Sequence, residues 1–117
     1  DDHILAIESD AGVFSPEGFG FSGSDEARAM VKEIANLLEP IGSNFIGDSG
    51  GGADINPIMN EGVPGMGLDV DGSKYFWYHH TNADAIDKLD KDEFNRCVAT
   101  MAVMSYVVAD MDTRLPR

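Results

Sequence analysis

At 117 residues the chain has room for one domain with a buried core, and its 43% hydrophobic content, 13 glycines and five prolines are ordinary for a globular protein. Its 21 acidic residues against 8 basic ones leave a net charge of -13. We therefore expect no nucleic-acid partner, because such binding needs clustered Lys and Arg. No apolar run approaches the roughly 18 residues that span a bilayer, so no membrane partner is expected. Metal cations are the more natural partners for such a charge.

The first predicted elements are a buried strand and a long loop. Residues 3–9 form a short apolar run that ends in polar residues, which predicts the strand. The glycine-rich segment 10–25 is predicted to be a loop. Its three phenylalanines, Phe14, Phe19 and Phe21, fit two roles about equally: lining a pocket, or packing under the rim of the domain.

The middle of the chain alternates helix and strand signals. Ser24 or Asp25 can cap a helix whose apolar residues recur at helical spacing until Pro40 ends it. A strand-like piece then leads into a triple glycine, Gly50 to Gly52. This triplet is only a weak phosphate-binding signal, because the Lys-Ser/Thr of a P-loop and the spaced glycines of a dinucleotide fingerprint are both missing. A short helix within 53–62 and a strand and turn within 63–72 complete this part.

The last periodic segment predicts a helix that starts at residues 90–92 and ends near Met111. A stripe of Met and aliphatic residues at this spacing is typical of a core face. The predicted buried face consists of Phe94, Cys97, Val98, Met101, Ser105 and Val108.

The alternation of strands and helices indicates an α/β layer with parallel strands, whose ligand sites form outside the carboxyl ends of the strands. By that rule Asp10, just after the first strand, and the loop with His79 and His80 should lie at the same edge. Adjacent histidines on an extended backbone point to opposite sides, so we expect only one of the two to face a given pocket.

A carboxylate and an imidazole at one edge are a donor set that suits zinc. Two ligands are too few for a catalytic zinc, so others must come from elsewhere, and ordinary buried polar residues remain the alternative. His3, the third histidine, opens the first strand and is expected at the opposite edge.

Four blocks of the sequence together resemble a known family. They are ESDAG at 8–12, GGADINPIMNEGVP at 51–64, SKYFWYHHTNAD at 73–84 and SYVVADMDTRLPR at 105–117. The chain resembles the C-terminal part of the zinc-dependent exopeptidases with two co-catalytic metals. The resemblance implies an α/β fold, the C-terminal part of a three-layer αβα domain with mainly parallel strands and helices on both faces.

The resemblance also implies roles for individual residues. Asp10 matches a ligand of one zinc and His80 a ligand of the other, which makes two zinc ions per catalytic domain. Asp84 occupies an acidic position that helps to order the loop, and Tyr78 belongs to the wall of the substrate pocket. His79 is expected to point away from the metals or towards the pocket wall.

The second block departs from the family pattern. Relatives often read Ser-Asp-His-x-Pro-Phe there, whereas this chain has Ile55 and Ile58 in place of the His and Phe. Asp54 is kept, and it can either contact substrate or cap the short helix after it, with capping the favoured role.

The family's His-x-Asp pair and its Glu-Glu pair, which supply a bridging ligand, a further ligand and the general base, do not occur in this sequence. In the family both lie upstream. We therefore expect residues 1–117 to be the C-terminal portion of a metallopeptidase catalytic domain, with no catalytic base of its own and with the upstream part as its first partner.

The function implied by the resemblance is hydrolysis of peptide bonds near the termini of small peptides, by an enzyme of the aminopeptidase, dipeptidase or carboxypeptidase type. A secreted or periplasmic location and a homodimer are further implications. The alternative is a non-catalytic, peptidase-like domain that binds a metal or a partner. A phosphate-binding domain built on Gly50 to Gly52 is a second rival.

Overall fold

The computed structural model describes residues 2–117. Its strands are β1 (Ala6–Glu8), β2 (Pro16–Ser22), β3 (Phe45–Gly47) and β4 (Gly65–Val70). Its α-helices are α1 (Asp25–Ala35), α2 (Asn56–Met59), α3 (Tyr75–Tyr78) and α4 (Lys91–Asp110). Short 3-10 helices span Asn36–Ile41, Gly72–Lys74 and Ile86–Lys88. No helix within 2–117 is long and apolar enough to cross a bilayer.

The four strands form one sheet in the order β1-β4-β2-β3. β1 pairs with β4 in parallel and β2 pairs with β3 in parallel, while β2 and β4 are antiparallel. The predicted α/β class with a mostly parallel sheet is confirmed. Because β1 and β4 run in the same direction, their carboxyl ends share one edge of the sheet, where the site described below forms.

Strand β2 lies in the segment that was predicted to be a loop, so that prediction was wrong. Phe19 and Phe21 alternate with Gly18 and Gly20. This two-residue alternation gives the strand one apolar face and one face without side chains. Glycine is required at these positions because backbone from neighbouring segments of the same chain comes very close. A Cβ at Gly18 would overlap the backbone of Phe45 on β3.

One face of the sheet carries the core. Phe19, Phe21, Met66 and Leu68 are buried there beneath α1 and α4. α1 begins as predicted, because the Ser24 side chain accepts a hydrogen bond from the Ala27 N–H at 3.2 Å. The chain then tightens into a 3-10 helix that passes through Pro40 and ends at Ile41, one residue beyond the predicted stop. The other buried members of the core are Ala27, Val31, Ile34, Ala35, Leu38, Ile46, Cys97, Met104, Val108 and Leu115.

The opposite face of the sheet is lined mainly by glycines, and the segment 48–59 with helix α2 lies against it. A Cβ at Gly65 would overlap the Met59 side chain of α2, and one at Gly50 would overlap the carbonyl of Gly20 in β2. Ser22 fastens this segment to β2: its hydroxyl accepts from the Gly50 N–H at 2.9 Å and donates to the Gly50 carbonyl at 2.7 Å. Helical residues therefore lie on both faces, as expected for this class.

Helix α4 has the predicted bounds within one residue but buries only part of the predicted face. Its buried residues are Cys97, Thr100, Met104 and Val108, whereas Phe94 is 43% and Val98 52% exposed. Ser105 is exposed as well. The prediction was therefore wrong for three of its six residues. Two neighbouring stripes of this helix are apolar, and contact with β2 and with the 3-10 helix Asn36–Ile41 selects the one that contains Thr100.

Candidate functional site

Asp10 and His80 line one cavity at the common carboxyl edge of β1 and β4. Asp10 follows β1 by two residues, and His80 follows β4 through a 3-10 helix and α3. The cavity has a volume of about 370 Å³ and is also lined by Tyr78, His79 and Asp84. Five of the six residues predicted for the site therefore meet in one place, although they come from two distant parts of the sequence.

The segment between β4 and His80 is shaped by local capping. Asp71 Oδ1 accepts a hydrogen bond from the Ser73 N–H at 2.9 Å and so starts the 3-10 helix that leads into α3. Because this bond favours the charged carboxylate, it lowers the pKa of Asp71. α3 ends at Tyr78, and His80 then takes a left-handed backbone with φ of 56°. Among residues 2–117 it is the only non-glycine residue with positive φ.

The two histidines do not point to opposite sides, so that part of the prediction was wrong. Their rings are stacked with centroids 3.8 Å apart and planes inclined by 22°. The rule of opposite sides holds for an extended strand, whereas here the chain leaves a helix and turns at His80. His79 lines the same cavity as His80.

The apolar wall of the cavity is aromatic. Phe14 is buried and stacks on Tyr78 with ring centroids 6.2 Å apart. The Cys97 thiol of α4 donates to the Phe14 carbonyl at 3.1 Å, and burial raises the pKa of that thiol. Of the three phenylalanines, Phe14 therefore lines a pocket, while Phe19 and Phe21 are core residues.

A second cavity, of about 570 Å³, lies on the glycine-lined face of the sheet and shares Asp10 with the first. Glu8 and Asp69 supply two more carboxylates, and Gly50 to Gly52 form part of its wall. Desolvation by burial, followed by the charge of Glu17, raises the pKa of Asp69.

The triple glycine serves close packing in this structure. A Cβ at Gly52 would overlap the Glu8 carboxylate, and the Gly50 N–H is already bonded to Ser22. Three carboxylates around the same cavity would repel a phosphate. These contacts argue against the phosphate-binding rival.

Glu8 is a site residue that sequence reasoning missed. Its Oε2 accepts hydrogen bonds from the backbone N–H groups of Asp54 at 3.1 Å and Ile55 at 3.3 Å, so β1 holds the segment before α2 in place. Both residues line the second cavity, and the position of Glu8 two residues before Asp10 was the available signal.

Asp54 does not take the role that was favoured for it. The N-cap of α2 is Ile55 and this cap has no side-chain hydrogen bond, so Asp54 is not a cap. Its side chain is exposed, and it lines neither of the two cavities that contain Asp10. Asp54 thus differs from the other five predicted site residues.

The donor set of the first cavity is chemically suited to zinc. Carboxylate oxygen and imidazole nitrogen are both ordinary zinc ligands, and Asp10 and His80 are both exposed to solvent, where a metal can reach them. In the part of the chain that the structure describes, no group of three or more His, Cys, Asp or Glu side chains is placed to hold one ion. The residues present therefore fit a share of a metal site and not a complete one.

Comparisons with known proteins show what the chain is similar to. The model of Peptidase family M28 matches residues 2–105. Carboxypeptidase Q from Mus musculus is 46% identical over 115 residues, which cover 98% of this chain and 24% of that protein. Carboxypeptidase Q from Xenopus laevis is 48% identical over 113 residues, 97% of this chain and 24% of that protein.

A solved structure is also similar to this chain. The crystal structure of a Peptidase M28 precursor from Shewanella amazonensis SB2B superposes with a TM-score of 0.89 at 32% identity, covering 98% of this chain and 26% of that one. The chain thus spans about a quarter of the length of the relatives that it matches.

Proposed function

This chain belongs to peptidase family M28, and on that basis we propose that it is the C-terminal portion of the catalytic domain of a zinc-dependent exopeptidase. Its reaction is the hydrolysis of peptide bonds near the termini of small peptides, in the manner of an aminopeptidase, dipeptidase or carboxypeptidase. The observation that carries the proposal is the meeting of Asp10 and His80 in one cavity at the carboxyl edge of the sheet.

Asp10 and His80 are the residues of this chain that would hold zinc, one for each of two ions. Bound zinc in such enzymes supplies Lewis acidity at the peptide carbonyl and makes a water molecule acidic enough to react near neutral pH. The remaining ligands and the general base come, in this proposal, from residues upstream of the chain. We call the protein that includes them, at the length of the curated relatives, the extended protein.

The other residues of the cavity bind and orient the peptide. Phe14, Tyr75 and Tyr78 offer aromatic surface to an apolar side chain of the substrate, and Lys88 is the only Lys or Arg in the cavity lining. A volume of about 370 Å³ lies within the range of roughly 300–1,000 Å³ that holds small ligands. This size supports short peptides as substrates.

The upstream part of the domain has a surface to pack against. On α4, Phe94, Val98 and Tyr106 are large apolar side chains that are exposed, and Met101 is partly buried. Several large apolar side chains exposed on one helix are a feature of contact sites. It supports a larger domain of which residues 1–117 are one part. A secreted or periplasmic location and a homodimer are supported by the family resemblance alone.

The test is hydrolysis of dipeptides by the extended protein after dialysis against zinc. The proposal predicts turnover that a chelator abolishes and that added zinc restores. Zinc binding without turnover on a panel of amino- and carboxy-terminal substrates would favour the non-catalytic alternative. An absence of both would overturn the proposal.

A further inference from the structure

His79 is the centre of a column of three stacked rings. On one side its imidazole stacks on Tyr75, with centroids 4.5 Å apart and planes inclined by 23°. On the other side it stacks on His80, with centroids 3.8 Å apart and planes inclined by 22°. The ring of Phe76 makes a T-shaped contact with His79, with centroids 6.3 Å apart and planes inclined by 86°. Aromatic pairs with centroids about 4.5–7 Å apart, as between His79 and its neighbours Tyr75 and Phe76, attract each other beyond the burial of their surfaces. The rings of His79 and His80 are closer and in direct contact.

The backbone fixes the base of this column. The His79 N–H donates to the Tyr75 carbonyl at 2.9 Å, which continues the hydrogen bonding of α3 by one residue. Beyond His80, the Thr81 N–H and hydroxyl both donate to the Tyr78 carbonyl, at 3.0 Å and 2.8 Å. The left-handed backbone of His80 is thus held from both sides, as an uncommon conformation must be if it is to persist.

The imidazole of His80 needs such support because it is exposed to solvent. Among the described residues, its ring nitrogens make no hydrogen bond. Histidine ligands are normally oriented by a hydrogen bond that the second ring N–H donates to a neighbouring oxygen. Stacking on His79 restricts the same ring by a different contact. It covers one face of the imidazole and leaves the lone pair of the unprotonated ring nitrogen, which lies in the ring plane, free for a metal.

We propose that His79 is a positioning residue, which holds the imidazole of His80 in the orientation for zinc binding through its place in the stack with Tyr75. The inference rests on the proposed function, since it requires His80 to be a ligand. It assigns no metal bond to His79. The flat ring of His79 is the property that matters, and its nitrogens are dispensable.

The test measures the zinc affinity of the extended protein by competition with a chelator, together with the zinc content at saturation. His79→Ala removes the stack, and we expect about tenfold weaker zinc binding at unchanged content. His79→Phe keeps a flat ring, and we expect zinc affinity within about twofold of the parent. The Tyr75→Leu variant, which loses the outer ring, should fall between the two, and Tyr75→Phe should match the parent.

Each other outcome overturns the inference in a recognisable way. Equal losses of affinity from His79→Ala and His79→Phe would mean that the nitrogens act, and a lower zinc content at saturation would make His79 a ligand. Unchanged affinity in His79→Ala would show that the stack does nothing for the metal. If the parent binds no zinc, or if His80→Ala loses none, the proposed function itself has failed. If His79→Ala does not fold, the comparison of Tyr75→Leu with Tyr75→Phe decides the matter.

Discussion

Asp10 and His80 line one cavity because the strands that precede them, β1 and β4, pair in parallel and end at the same edge of the sheet. Each side chain is carried by a different segment, so a change at one leaves the local structure of the other intact. This separation allows the two predicted ligands to be tested one at a time.

Replacement of either predicted ligand should reduce dipeptide hydrolysis by the extended protein about a thousandfold. A metal ion contributes several kcal/mol of transition-state stabilisation, and each 1.4 kcal/mol or so is a factor of about ten in rate. The measurement is kcat/KM for Asp10→Ala and for His80→Ala. His3→Ala is the matched control, because His3 is exposed and does not line the cavity. Activity within about tenfold of the parent in either ligand variant would contradict the assignment.

Gly50→Ala should destabilise the extended protein by about 1–3 kcal/mol, since the new Cβ would overlap the Gly20 carbonyl and push the segment away from β2. Gly72→Ala is the control, because a Cβ at Gly72 meets nothing within 4 Å. Thermal unfolding of the two variants measures the difference. Equal unfolding temperatures would mean that the triple glycine is not needed for packing.

Ser43 and Thr100 form a buried polar pair whose hydrogen bond should contribute to stability. The two hydroxyls are 2.9 Å apart and both residues are fully buried, while Thr100 Oγ1 also lies 2.8 Å from the Arg96 carbonyl. Thr100→Val leaves the Ser43 hydroxyl without its partner and should cost about 1–3 kcal/mol.

The double variant Ser43→Ala/Thr100→Val should cost less than the sum of the single ones, by about 1 kcal/mol. The free energies of unfolding of the four proteins, from denaturant titration, give this coupling. Strict additivity would show that the hydrogen bond contributes nothing to stability.

Asp69 should make the protein less stable as pH rises. Its pKa in the folded state is raised above the ordinary value of 3.8, so the folded state holds the proton more strongly than the unfolded state. The contribution is therefore favourable below that value and is lost as pH rises through the raised pKa. Asp69→Asn should stabilise the protein at about pH 7 and have little effect below about pH 4, and Asp112→Asn in the exposed tail serves as control. If Asp69→Asn were less stable than the parent at neutral pH, the predicted direction of the pH dependence would be wrong.

The class of fold and the meeting of the two predicted ligands could be read from the sequence because both depend on element order. A strand before Asp10 and another before the histidine loop suffice, once parallel pairing brings their ends to one edge. Strand β2 could not be predicted because glycine occupies every second position of its central part. No polar residues therefore alternate with Phe19 and Phe21, and the usual pattern of a half-buried strand is missing. Glycine at these positions is favoured only by the close approach of Phe45 and Ser49, which are distant in sequence.

The buried face of α4 and the stack of His79 on His80 could not be predicted for related reasons. Two stripes of α4 are apolar, and only tertiary contact decides which one is buried. A left-handed residue is usually signalled by glycine, and His80 carries no such signal although its conformation sets the position of both rings. Asp54 was misjudged because the helix after it begins one residue later and is capped without a side chain.

The most direct test of the account is the zinc content per polypeptide of the extended protein and of its His80→Ala variant, measured side by side after zinc dialysis and removal of loosely bound metal. The account predicts about two zinc ions in the parent and about one in the variant, because each of the two ions takes one ligand from this chain. Equal zinc content in the two proteins, or no zinc in either, would contradict it.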